Sequence, residues 1–399
     1  MPRVLRIINR FNLGGPTYNA AYLTKYLAPE FETLLVGGEK DDTEGSSQYI
    51  VKSLGIEPIL IPEMKRAIHP VNDIIAYRKL VKIIKEFKPD IVHTHASKAG
   101  TLGRIAANQL KVPVVLHTFH GHVFHSYFNT FSTEFFKNIE RSLAERSTRI
   151  IAISEKQKYE LSHEHAICDP DKIQVIPLGF DLNRFKENTE EKRKKFREQY
   201  NIDDDEIAVG IVGRIVPIKN HALFINAMKF VLEKTSQKVR AFIVGDGEDY
   251  EKMKLLVQEL KLSYICPHQI GKKAAVTFTS WIKEIDFVNA GMDIITLTSL
   301  NEGTPVSLIE AQASSKPIVS TRVGGIEDVV IPDETAILVD DNNQELFGNY
   351  LLELIENGNR RRAMGKMGLQ HVESKYTVEH LVNNMSHFYN QLLNEVKIK

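Results

Sequence analysis

The chain has 399 residues, and its 51 basic and 51 acidic side chains give a formal net charge of zero. Since a domain usually takes about 150 residues, this length predicts two domains. The balanced charge excludes a protein whose main task is to coat nucleic acid, because such proteins carry a basic excess.

The amino terminus and the cysteines indicate the cellular setting. Met1–Asn9 reads as a strand and lacks the basic segment, apolar run and cleavage site of a secretory leader. No run of about 18 apolar residues occurs, so we expect no membrane span. Cys168 and Cys266 fit no metal-ligand spacing and are expected to be reduced, buried thiols. We therefore expect a cytoplasmic protein, with attachment to the inner face of the cell membrane left open.

Short apolar runs alternate with amphipathic helical patterns along the first half of the chain. The strands are predicted at Val4–Ile8, Glu32–Val36, Ile91–His93, Val114–Leu116 and Ile150–Ile153. The helices are predicted at Thr17–Leu27, Asp73–Phe87 and Thr101–Gln109. This alternation predicts a parallel sheet flanked by helices.

The same alternation restarts after a hinge that we place near residues 178–185. Val175–Gly179 reads as a short strand before the hinge, and the charge-dense stretch Lys186–Tyr200 follows it. The later strands are predicted at Ala208–Val212, Arg240–Val244, Ile294–Leu297 and Pro317–Ser320. The later helices are predicted at Ala222–Lys234, Asp249–Leu260, Pro305–Ser314 and Thr377–Val396. The chain is therefore predicted to be an α/β protein with domains at residues 1–180 and 181–376.

Two loops, each after the first strand of its half, are candidates for phosphate binding. Gly14 and Gly15 precede the first helix, where the backbone can approach a ligand and free N–H groups face it. An ordinary tight turn is the alternative. Arg214 and Lys219 share the loop of the second half, and both cations could face one diphosphate. Open α/β sheets bind ligands at the carboxyl ends of their strands, which favours this function over two solvated cations.

The stretch after the strand Ile294–Leu297 begins a helix. Thr304 is a predicted N-cap and Pro305 a predicted first helical residue. The free N–H groups around Val306 and Ser307 could then face phosphate or sugar oxygens. Such a helix start predicts an anion site.

Two carboxylates flank that helix start. Glu302 lies in the loop, and Glu310 lies within the helix. A carboxylate suits a sugar because it accepts hydrogen bonds from hydroxyl groups. The alternative for either residue is a solvated acid that complements the helix dipole.

Histidines stand at the ends of two predicted strands. His120 could donate a hydrogen bond to a sugar hydroxyl or to developing charge, and His95 is a candidate to line the same cleft. The spacing of His117, His120 and His122 could suggest a metal, but alternate residues of an extended segment need not converge and no acidic ligand is adjacent. Asp203–Asp205 contains the D-x-D pattern of many metal-dependent sugar transferases, yet it precedes a strand and reads as a solvated turn. We expect no metal.

The order and spacing of these motifs resemble those of the retaining glycosyltransferases of family 4, which have the GT-B fold. The resemblance covers nearly the full chain and is to bacterial members that build polysaccharides or lipid-linked oligosaccharides. It rests on Gly14-Gly15, Thr118–Gly121, Val175–Asp181, Gly213–Lys219, Val244–Gly247, Glu302-x7-Glu310 and Thr321–Gly325. It implies two Rossmann-like parallel-sheet lobes that face each other across a cleft, with a C-terminal helix, within residues 377–399, that crosses back to the first lobe.

The resemblance also implies a role for each candidate residue. Arg214 and Lys219 would neutralise the donor diphosphate, with Gly14 and Gly15 completing its cradle. His120 would contact the donor sugar near the reacting carbon. The donor sugar and its phosphate would be held by Glu302 and the backbone of Gly303, Thr304, Pro305, Val306 and Ser307. The ribose would be held by Glu310, and Trp281 would lie near the base.

The implied reaction is a retaining, metal-independent transfer from a nucleotide-sugar, by default a UDP-sugar, to a saccharide or lipid-linked acceptor. No cofactor is expected. The attack would be on the front face, with the leaving phosphate oxygen taking the proton of the acceptor. A nucleotide-sugar 2-epimerase of the same fold and a non-catalytic nucleotide-sugar-binding homologue are the alternatives. The epimerase fits the spacing of the two glutamates less well.

An aromatic stretch is the predicted acceptor surface. Its residues are Phe119, Phe124, Tyr127, Phe128, Phe131, Phe135 and Phe136, followed by Lys137, Arg141, Arg146 and Arg149. The alternative to an acceptor groove or a shallow membrane contact is a core-packing helix with a solvated face. Nucleic acid is not an expected partner.

Overall fold

The computed structural model describes residues 1–11, 15–39, 48–65, 67–120, 130–269, 271–340 and 343–398, with only the backbone of residues 130–132. The chain divides into two compact units. Unit 1 is Met1–Phe180 with Tyr376–Lys399, and unit 2 is Asp181–Lys375. The predicted domain bounds differ from this division by the single residue Tyr376.

Unit 1 contains a sheet of seven described strands, all paired in parallel, in the order β3-β2-β1-β4-β5-β6-β7. These strands are β1 (Arg3–Arg10), β2 (Glu32–Gly38), β3 (Ile59–Leu60), β4 (Ile91–His95), β5 (Val114–Thr118), β6 (Arg149–Ala152) and β7 (Ile173–Val175). The helices before the hinge are α1 (Gly15–Tyr26), α2 (Gln48–Ser53), α3 (Pro70–Phe87), α4 (Ser97–Gln109), α5 (Thr130–Glu145) and α6 (Glu155–Tyr159), which continues as a π-helical turn over Glu160–Glu164. The central strands are buried along their whole length, as expected for a parallel sheet covered on both faces.

Unit 2 repeats this architecture with a different strand order, β10-β11-β9-β8-β12-β13-β14, again all parallel. Its strands are β8 (Ile207–Val212), β9 (Val239–Val244), β10 (Tyr264–Ile265), β11 (Val276–Ser280), β12 (Ile294–Leu297), β13 (Ile318–Thr321) and β14 (Ala336–Val339). Its α-helices are α7 (Thr189–Gln199), α8 (His221–Lys234), α9 (Tyr250–Glu259), α10 (Ile285–Gly291), α11 (Val306–Ala313), α12 (Ile326–Val329), α13 (Gln344–Glu356) and α14 (Gly358–Lys375). β8 lies between β9 and β12, so the order of the strands reverses there.

The C-terminal helix α15 (Val378–Ile398) belongs to unit 1, as predicted. Its predicted apolar positions Leu381, Met385, Phe388 and Leu392 are all buried. They pack in one cluster with residues of the unit 1 sheet and of the start of the chain, among them Val4, Leu23, Phe31, Ile91 and Leu116. The helix is therefore part of the core of unit 1, although 195 residues of unit 2 precede it in the sequence.

Two local predictions are wrong. The strand predicted at Val175–Gly179 is β7, Ile173–Val175, so it ends where it was expected to begin. Helix α11 begins at Val306, with Pro305 as its N-cap and no side-chain cap, whereas Thr304 was the predicted N-cap. The second error has a physical cause: Pro305 has an extended ψ of 92°, which proline tolerates as readily as a helical one.

The cysteines and the helices test two expectations, buried reduced thiols and no membrane span. Cys168 and Cys266 are free thiols, as predicted, but both are only half-buried. Burial still raises the pKa of the Cys168 thiol to about 11. Within the described ranges, no helix combines the length and apolar character that a membrane crossing requires.

Candidate functional site

The loops that follow the strands of unit 2 contact one another at the carboxyl edge of its sheet. The Ile215 N–H donates to the Asp246 carbonyl at 2.9 Å, which joins the loops after β8 and β9. The Leu300 N–H donates to the Ile218 carbonyl at 2.8 Å, which joins the loops after β12 and β8. This edge is where open α/β sheets bind their ligands. The loop carrying Arg214 and Lys219 is therefore held from both sides.

Two glycines allow these loops to touch. A Cβ on Gly245 would lie 1.9 Å from the Gly213 carbonyl oxygen, and one on Gly324 would lie 2.0 Å from the Glu302 carbonyl oxygen. Gly324 also has a φ of +55°, which favours glycine. The Gly325 N–H donates to the same Glu302 carbonyl at 2.9 Å. Glycine is thus required at both positions to place the backbone around Glu302.

Lys219 and Glu302 form an ion pair through Lys219 Nζ and Glu302 Oε1. Both side chains are largely buried, with exposed fractions of 22% and 10%. The Ser299 hydroxyl donates to the same carboxylate oxygen at 2.5 Å. Thr298 Oγ1 donates to the Lys219 carbonyl at 3.0 Å. The predicted cation and the predicted carboxylate are therefore brought together, and neighbouring hydroxyls orient them.

Arg214 and the start of α11 offer unpaired donors at this edge. The Arg214 side chain is exposed and has no hydrogen bond or ion pair with any residue that the structure describes. The backbone N–H groups of Val306 and Ser307 likewise find no acceptor among the described residues. Because α11 has no side-chain cap, its first turn retains the partial positive charge of a helix N-terminus. These groups suit an anion.

Gly303 and Thr304 lie between the ion pair and α11. Gly303 is exposed, and a Cβ added to it would meet no atom within 4 Å. Its lack of a side chain is therefore not a requirement of packing. Thr304 is half-buried, and the N-cap Pro305 is buried.

Glu310 is separate from the Lys219–Glu302 pair and has its own partner. Its carboxylate lies 3.3 Å from Arg184 Nη2, and its side chain is 15% exposed. Burial raises the pKa of Glu310 to about 7, although the Arg184 guanidinium acts in the opposite direction. Near neutral pH this carboxyl is therefore partly protonated.

Trp281 follows β11 and is 56% exposed. The strand ends in a left-handed turn at Ser280, whose φ is +60°. The Ser280 carbonyl accepts the Gly245 N–H at 3.1 Å, and its hydroxyl donates to Asp246 at 3.2 Å. This anchor holds the backbone before Trp281 beside the loop after β9, and the exposed indole offers a face on which an aromatic base can stack.

In unit 1, Gly14 lies outside the described residues and Gly15 begins α1. A Cβ on Gly15 would meet a single described atom within 4 Å, Leu178 Cδ1 at 3.9 Å, which is an ordinary contact. His120 lies at the end of the segment after β5, and its Nε2 is 2.9 Å from His95 Nδ1. The two rings stack with centroids 5.1 Å apart.

A buried polar network continues from this pair. The His95 ring stacks on His93, with centroids 4.3 Å apart. His93 Nδ1 lies 3.1 Å from Arg6 Nη1 and 2.6 Å from the Tyr389 hydroxyl, and its Nε2 lies 2.7 Å from Thr118 Oγ1. Because arginine only donates, His93 Nδ1 must accept, so the proton of this imidazole is on Nε2 and points to Thr118. The tautomer of His93 is thereby determined.

Charge in this network is unbalanced. Arg6 is fully buried, and no carboxylate of the described residues pairs with it. Burial, with the Arg6 guanidinium as the second cause, holds the pKa of His93 well below its usual range. Burial does the same for the pKa of His95 and lowers that of His120 to about 4. Burial raises the pKa of Tyr389, so its phenol stays neutral. The histidines are therefore neutral hydrogen-bonding groups.

His117 and the acidic turn have partners of their own. His117 Nδ1 lies 2.9 Å from Thr94 Oγ1, and His117 packs beside Gly100 of α4, whereas His120 bonds to His95. His122 lies outside the described residues. Asp203–Asp205 forms an exposed turn before β8, at the opposite end of that strand from Arg214. Across the described ranges, no group of three or more His, Cys, Asp or Glu side chains is arranged to hold a metal ion.

The predicted aromatic surface is described only in part. Phe119 is buried, and Phe136 packs against the same apolar cluster. Phe135 is 60% exposed. Outside the described side chains lie Phe124, Tyr127, Phe128 and Phe131. Of the basic residues after them, Lys137 and Arg141 pair with Glu134 and Arg149 with Glu395, while Arg146 is exposed.

Several contacts of the candidate site were missed by sequence reasoning. Arg184 and Tyr389 carry no local pattern that marks them, because their partners Glu310 and His93 are distant in the sequence. Ser299 lies three residues before its partner Glu302, but a lone serine in a loop does not stand out. Arg6 did carry a signal: it is a charge in the middle of the predicted buried strand Val4–Ile8. A buried charge needs specific partners, so its presence there could have indicated a polar network.

Comparison with known families matches both halves of the chain. Residues 13–184 match the family model described as Glycosyltransferase Family 4, and residues 192–371 match the one described as Glycosyl transferases group 1. The two matches meet near the boundary between the units.

Two curated bacterial relatives cover most of the chain. The UDP-Gal:alpha-D-GlcNAc-diphosphoundecaprenol alpha-1,3-galactosyltransferase of Escherichia coli is 31% identical over 304 residues, which is 75% of each chain. The capsular polysaccharide biosynthesis glycosyltransferase CapM of Staphylococcus aureus is 27% identical over 338 residues, which is 83% of this chain and 84% of CapM.

Solved structures match over nearly the full length. HepE of Anabaena, crystallised in complex with UDP, superimposes with a TM-score of 0.81 at 18% identity and covers 98% of this chain and 100% of its own. WaaG, a glycosyltransferase involved in lipopolysaccharide biosynthesis, gives a TM-score of 0.69 at 16% identity, over 96% of this chain and 99% of WaaG. These likenesses show the fold, and the identity to the Escherichia coli enzyme shows the family. The chain therefore belongs to glycosyltransferase family 4 and is a glycosyltransferase with the GT-B fold.

Proposed function

We propose that this glycosyltransferase moves a hexose from a UDP-sugar to a lipid-diphosphate-linked saccharide, with retention of configuration and without a metal. The observation that carries the proposal is the set of donors at the carboxyl edge of the unit 2 sheet. There the exposed Arg214, the ammonium of Lys219 and the free N–H groups that begin α11 offer two cations and a helix N-terminus to one diphosphate.

The donor diphosphate competes with the Glu302 carboxylate for the ammonium of Lys219. A diphosphate that takes the Lys219 ammonium weakens its pairing with the Glu302 carboxylate. Glu302, still oriented by the Ser299 hydroxyl, can then accept hydrogen bonds from hydroxyls of the transferred sugar. Lys219 thus recognises the phosphate and Glu302 the sugar, although in the free protein the two form one ion pair.

The remaining candidates complete the donor site. Glu310 accepts hydrogen bonds from the ribose hydroxyls, and Trp281 stacks on the base. Packing within the two units does not require a glycine at Gly303 or at Gly15. In this proposal the missing side chains leave room for the ligand. His120 in unit 1 donates a hydrogen bond to the transferred sugar.

Catalysis in this proposal is positioning plus electrostatics. Arg214 and Lys219 stabilise the negative charge that builds up on the departing diphosphate. The acceptor hydroxyl attacks the anomeric carbon from the side that the diphosphate leaves, and its proton passes to the leaving phosphate oxygen. The chain then needs no metal, because the two cations supply the charge stabilisation.

The proposed class of acceptor is taken from the names of two relatives. The name of the Escherichia coli enzyme states a diphosphoundecaprenol-linked GlcNAc acceptor and a UDP-Gal donor, and CapM is named for capsular polysaccharide biosynthesis. The family assignment favours transfer over 2-epimerisation. A turnover assay distinguishes the enzyme from the non-catalytic alternative.

Turnover with defined substrates tests the proposed function. The purified chain is incubated with UDP-glucose, UDP-galactose, UDP-GlcNAc and the matching GDP- and ADP-sugars, with and without a short-chain GlcNAc-diphosphoprenol. We expect acceptor-dependent release of UDP that EDTA leaves unchanged, and an α-linked product by NMR. No shift of the melting temperature with any nucleotide or nucleotide-sugar would overturn the donor assignment, and a β-linked product would overturn retention.

The two cations should act on the phosphates and not on the nucleoside. We expect Arg214→Met and Lys219→Met each to weaken UDP binding by about tenfold or more, because a hydrogen bond to a charged group contributes about 1.5–3 kcal/mol. Uridine binding should change by less than about twofold on the same scale. Calorimetry with both ligands measures this. Lys252→Met, which removes an exposed cation of α9, is the matched control, and equal losses for UDP and uridine would contradict the assignment.

Glu310 should release a proton when the donor binds. Its pKa is about 7 in the free protein, and hydroxyls that donate to the ionised carboxylate favour that form and lower the pKa. UDP-glucose binding at pH 7 should therefore release about half a proton, and affinity should rise about tenfold from pH 6 to pH 8. Calorimetry in two buffers of different ionisation enthalpy measures the release. Glu310→Gln should abolish both effects, and their persistence in this variant would exclude Glu310.

For a lipid-linked acceptor, we propose that the outer face of α3 contacts the membrane. Val71, Ile74 and Ile75 are exposed and lie at helical spacing on one face, after Ile68, which is 71% exposed. The same face continues with three exposed cations, Arg78, Lys82 and Lys85, of which Lys82 lies 3.8 Å from the Glu86 carboxylate. The opposite face of the helix is buried in the core of unit 1 through Ala76, Leu80 and Ile84. An apolar start and a basic continuation suit an anionic bilayer surface.

Vesicle binding tests this face. The full chain should co-sediment with phosphatidylcholine vesicles that contain phosphatidylglycerol, and less so at high salt. Replacing Ile68 and Val71 together by Ser should weaken binding by about tenfold, since their apolar contact is lost. Leu255→Ser, at an exposed leucine of α9 in unit 2, is the matched control. Unchanged binding of the double variant would place any membrane contact elsewhere.

A further inference from the structure

The His95–His120 contact ends in two unpartnered atoms. His95 Nδ1 and His120 Nε2 bond to each other at 2.9 Å. The remaining ring nitrogens, His95 Nε2 and His120 Nδ1, are buried and have no hydrogen-bond partner in the described part of the chain. A buried polar atom without a partner costs about 1–3 kcal/mol. Two such atoms at the ends of one pair leave hydrogen-bonding capacity that no described residue uses, and we assign that of His120 Nδ1 to the ligand.

Proton accounting shows what the pair can offer. Each neutral imidazole carries one proton, and one of the two must lie in the shared hydrogen bond. If His95 Nδ1 donates, then His120 Nδ1 carries a proton and His95 Nε2 is bare. If His120 Nε2 donates, then His120 Nδ1 is bare and His95 Nε2 carries the proton. The tautomers of the two rings are therefore linked, so that a proton on His95 Nδ1 requires one on His120 Nδ1.

His95 packs against a buried group that is itself hydrogen-bonded. It is fully buried on β4, and its ring stacks on His93, whose tautomer is determined by the donor-only Arg6. Arg6 is in turn bonded to Thr24 at 3.3 Å and to Tyr389 of α15 at 3.2 Å. The position of the His95 ring thus depends on β1, β4 and the C-terminal helix together.

We propose that His95 is the positioning residue for His120: through the Nδ1–Nε2 hydrogen bond it orients the His120 ring and sets the hydrogen-bonding character of the Nδ1 that meets the transferred sugar. This inference rests on the proposed function of His120 and adds a residue that does not itself touch the substrate. The form in which His95 Nδ1 donates presents His120 Nδ1–H, the donor that a sugar hydroxyl or developing negative charge requires.

Three substitutions of His95 distinguish the loss of its hydrogen bond to His120 from the loss of its side-chain volume. In His95→Asn the amide lies near the place of Nδ1 and can still bond His120, whereas in His95→Gln it lies near the place of Nε2 and cannot. His95→Leu removes the bond altogether. We expect kcat to fall about 10- to 100-fold in the Gln and Leu variants, with partial rescue in the Asn variant and an unchanged Kd for UDP. His117→Asn is the matched control, because it removes another buried histidine of the same sheet that is bonded to Thr94.

A double-mutant cycle distinguishes positioning from a structural role. If His95 acts through His120, then His95→Leu added to His120→Ala should lower kcat no further. Melting temperatures identify any variant that fails to fold. If the two losses multiply, or if His117→Asn lowers kcat as much as His95→Leu does, the proposal is overturned.

A readout without turnover keeps this test separate from that of the proposed function. In long-range ¹H–¹⁵N spectra of histidine-labelled protein, the His120 Nε2 resonance should shift in the His95→Leu variant and stay near its place in His95→Asn. A lack of any transferase activity, or a kcat that His120→Ala leaves unchanged, would remove the proposed role of His120. An unaltered His120 resonance in His95→Leu would remove the role of His95, whatever the activity.

Discussion

Direct contact between loop backbones is the constraint on which the candidate donor site depends. At Gly245 and Gly324 a side chain would overlap a carbonyl oxygen of the neighbouring loop, so the loops after β8, β9, β12 and β13 can meet only because both residues are glycine. That contact fixes the backbone at Glu302 and the loop of Lys219. Because the backbone is fixed, the ion pair has a defined place, and so has the start of α11. Gly303, by contrast, faces open space, which marks where a ligand can approach.

The two units treat charge in opposite ways. In unit 2 the important charges are paired or exposed: Lys219 with Glu302, Glu310 with Arg184, and Arg214 toward solvent. Those groups can exchange partners with an anionic ligand. In unit 1 the fully buried Arg6 pairs with no described carboxylate, and burial keeps the surrounding histidines neutral. A neutral imidazole can donate or accept a hydrogen bond without repelling a cationic, oxocarbenium-like sugar. Under the proposed function, this difference corresponds to phosphate binding by residues of unit 2 and sugar contact by His120 of unit 1.

Much of this could be predicted from the sequence, and the failures have separate physical causes. The apolar runs located most of the longer strands because burial of a parallel strand leaves a continuous signal, and the spacing in the last 20 or so residues located α15. The site residues of unit 2 follow strand ends, which is a topological rule that needs no coordinates. The pairing of His95 with His120, and of Arg184 with Glu310, depends on which strands and loops are neighbours, and spacing does not encode that. The strand predicted at Val175–Gly179 was placed too far along the chain, because a buried apolar run continues past the last residue of β7 that pairs with β6.

The return of α15 to unit 1 has a consequence for synthesis of the chain. Unit 1 lacks its last helix until the 195 residues of unit 2 have been made. At about 5–20 residues per second, that is a wait of roughly 10–40 s on the ribosome. During this time the apolar faces of Phe31 and Leu116, and the buried guanidinium of Arg6, lack the partners that Tyr389 and its neighbours provide. The nascent amino-terminal half is thus an incomplete domain, and the order of folding favours unit 2 as the first to reach its final state.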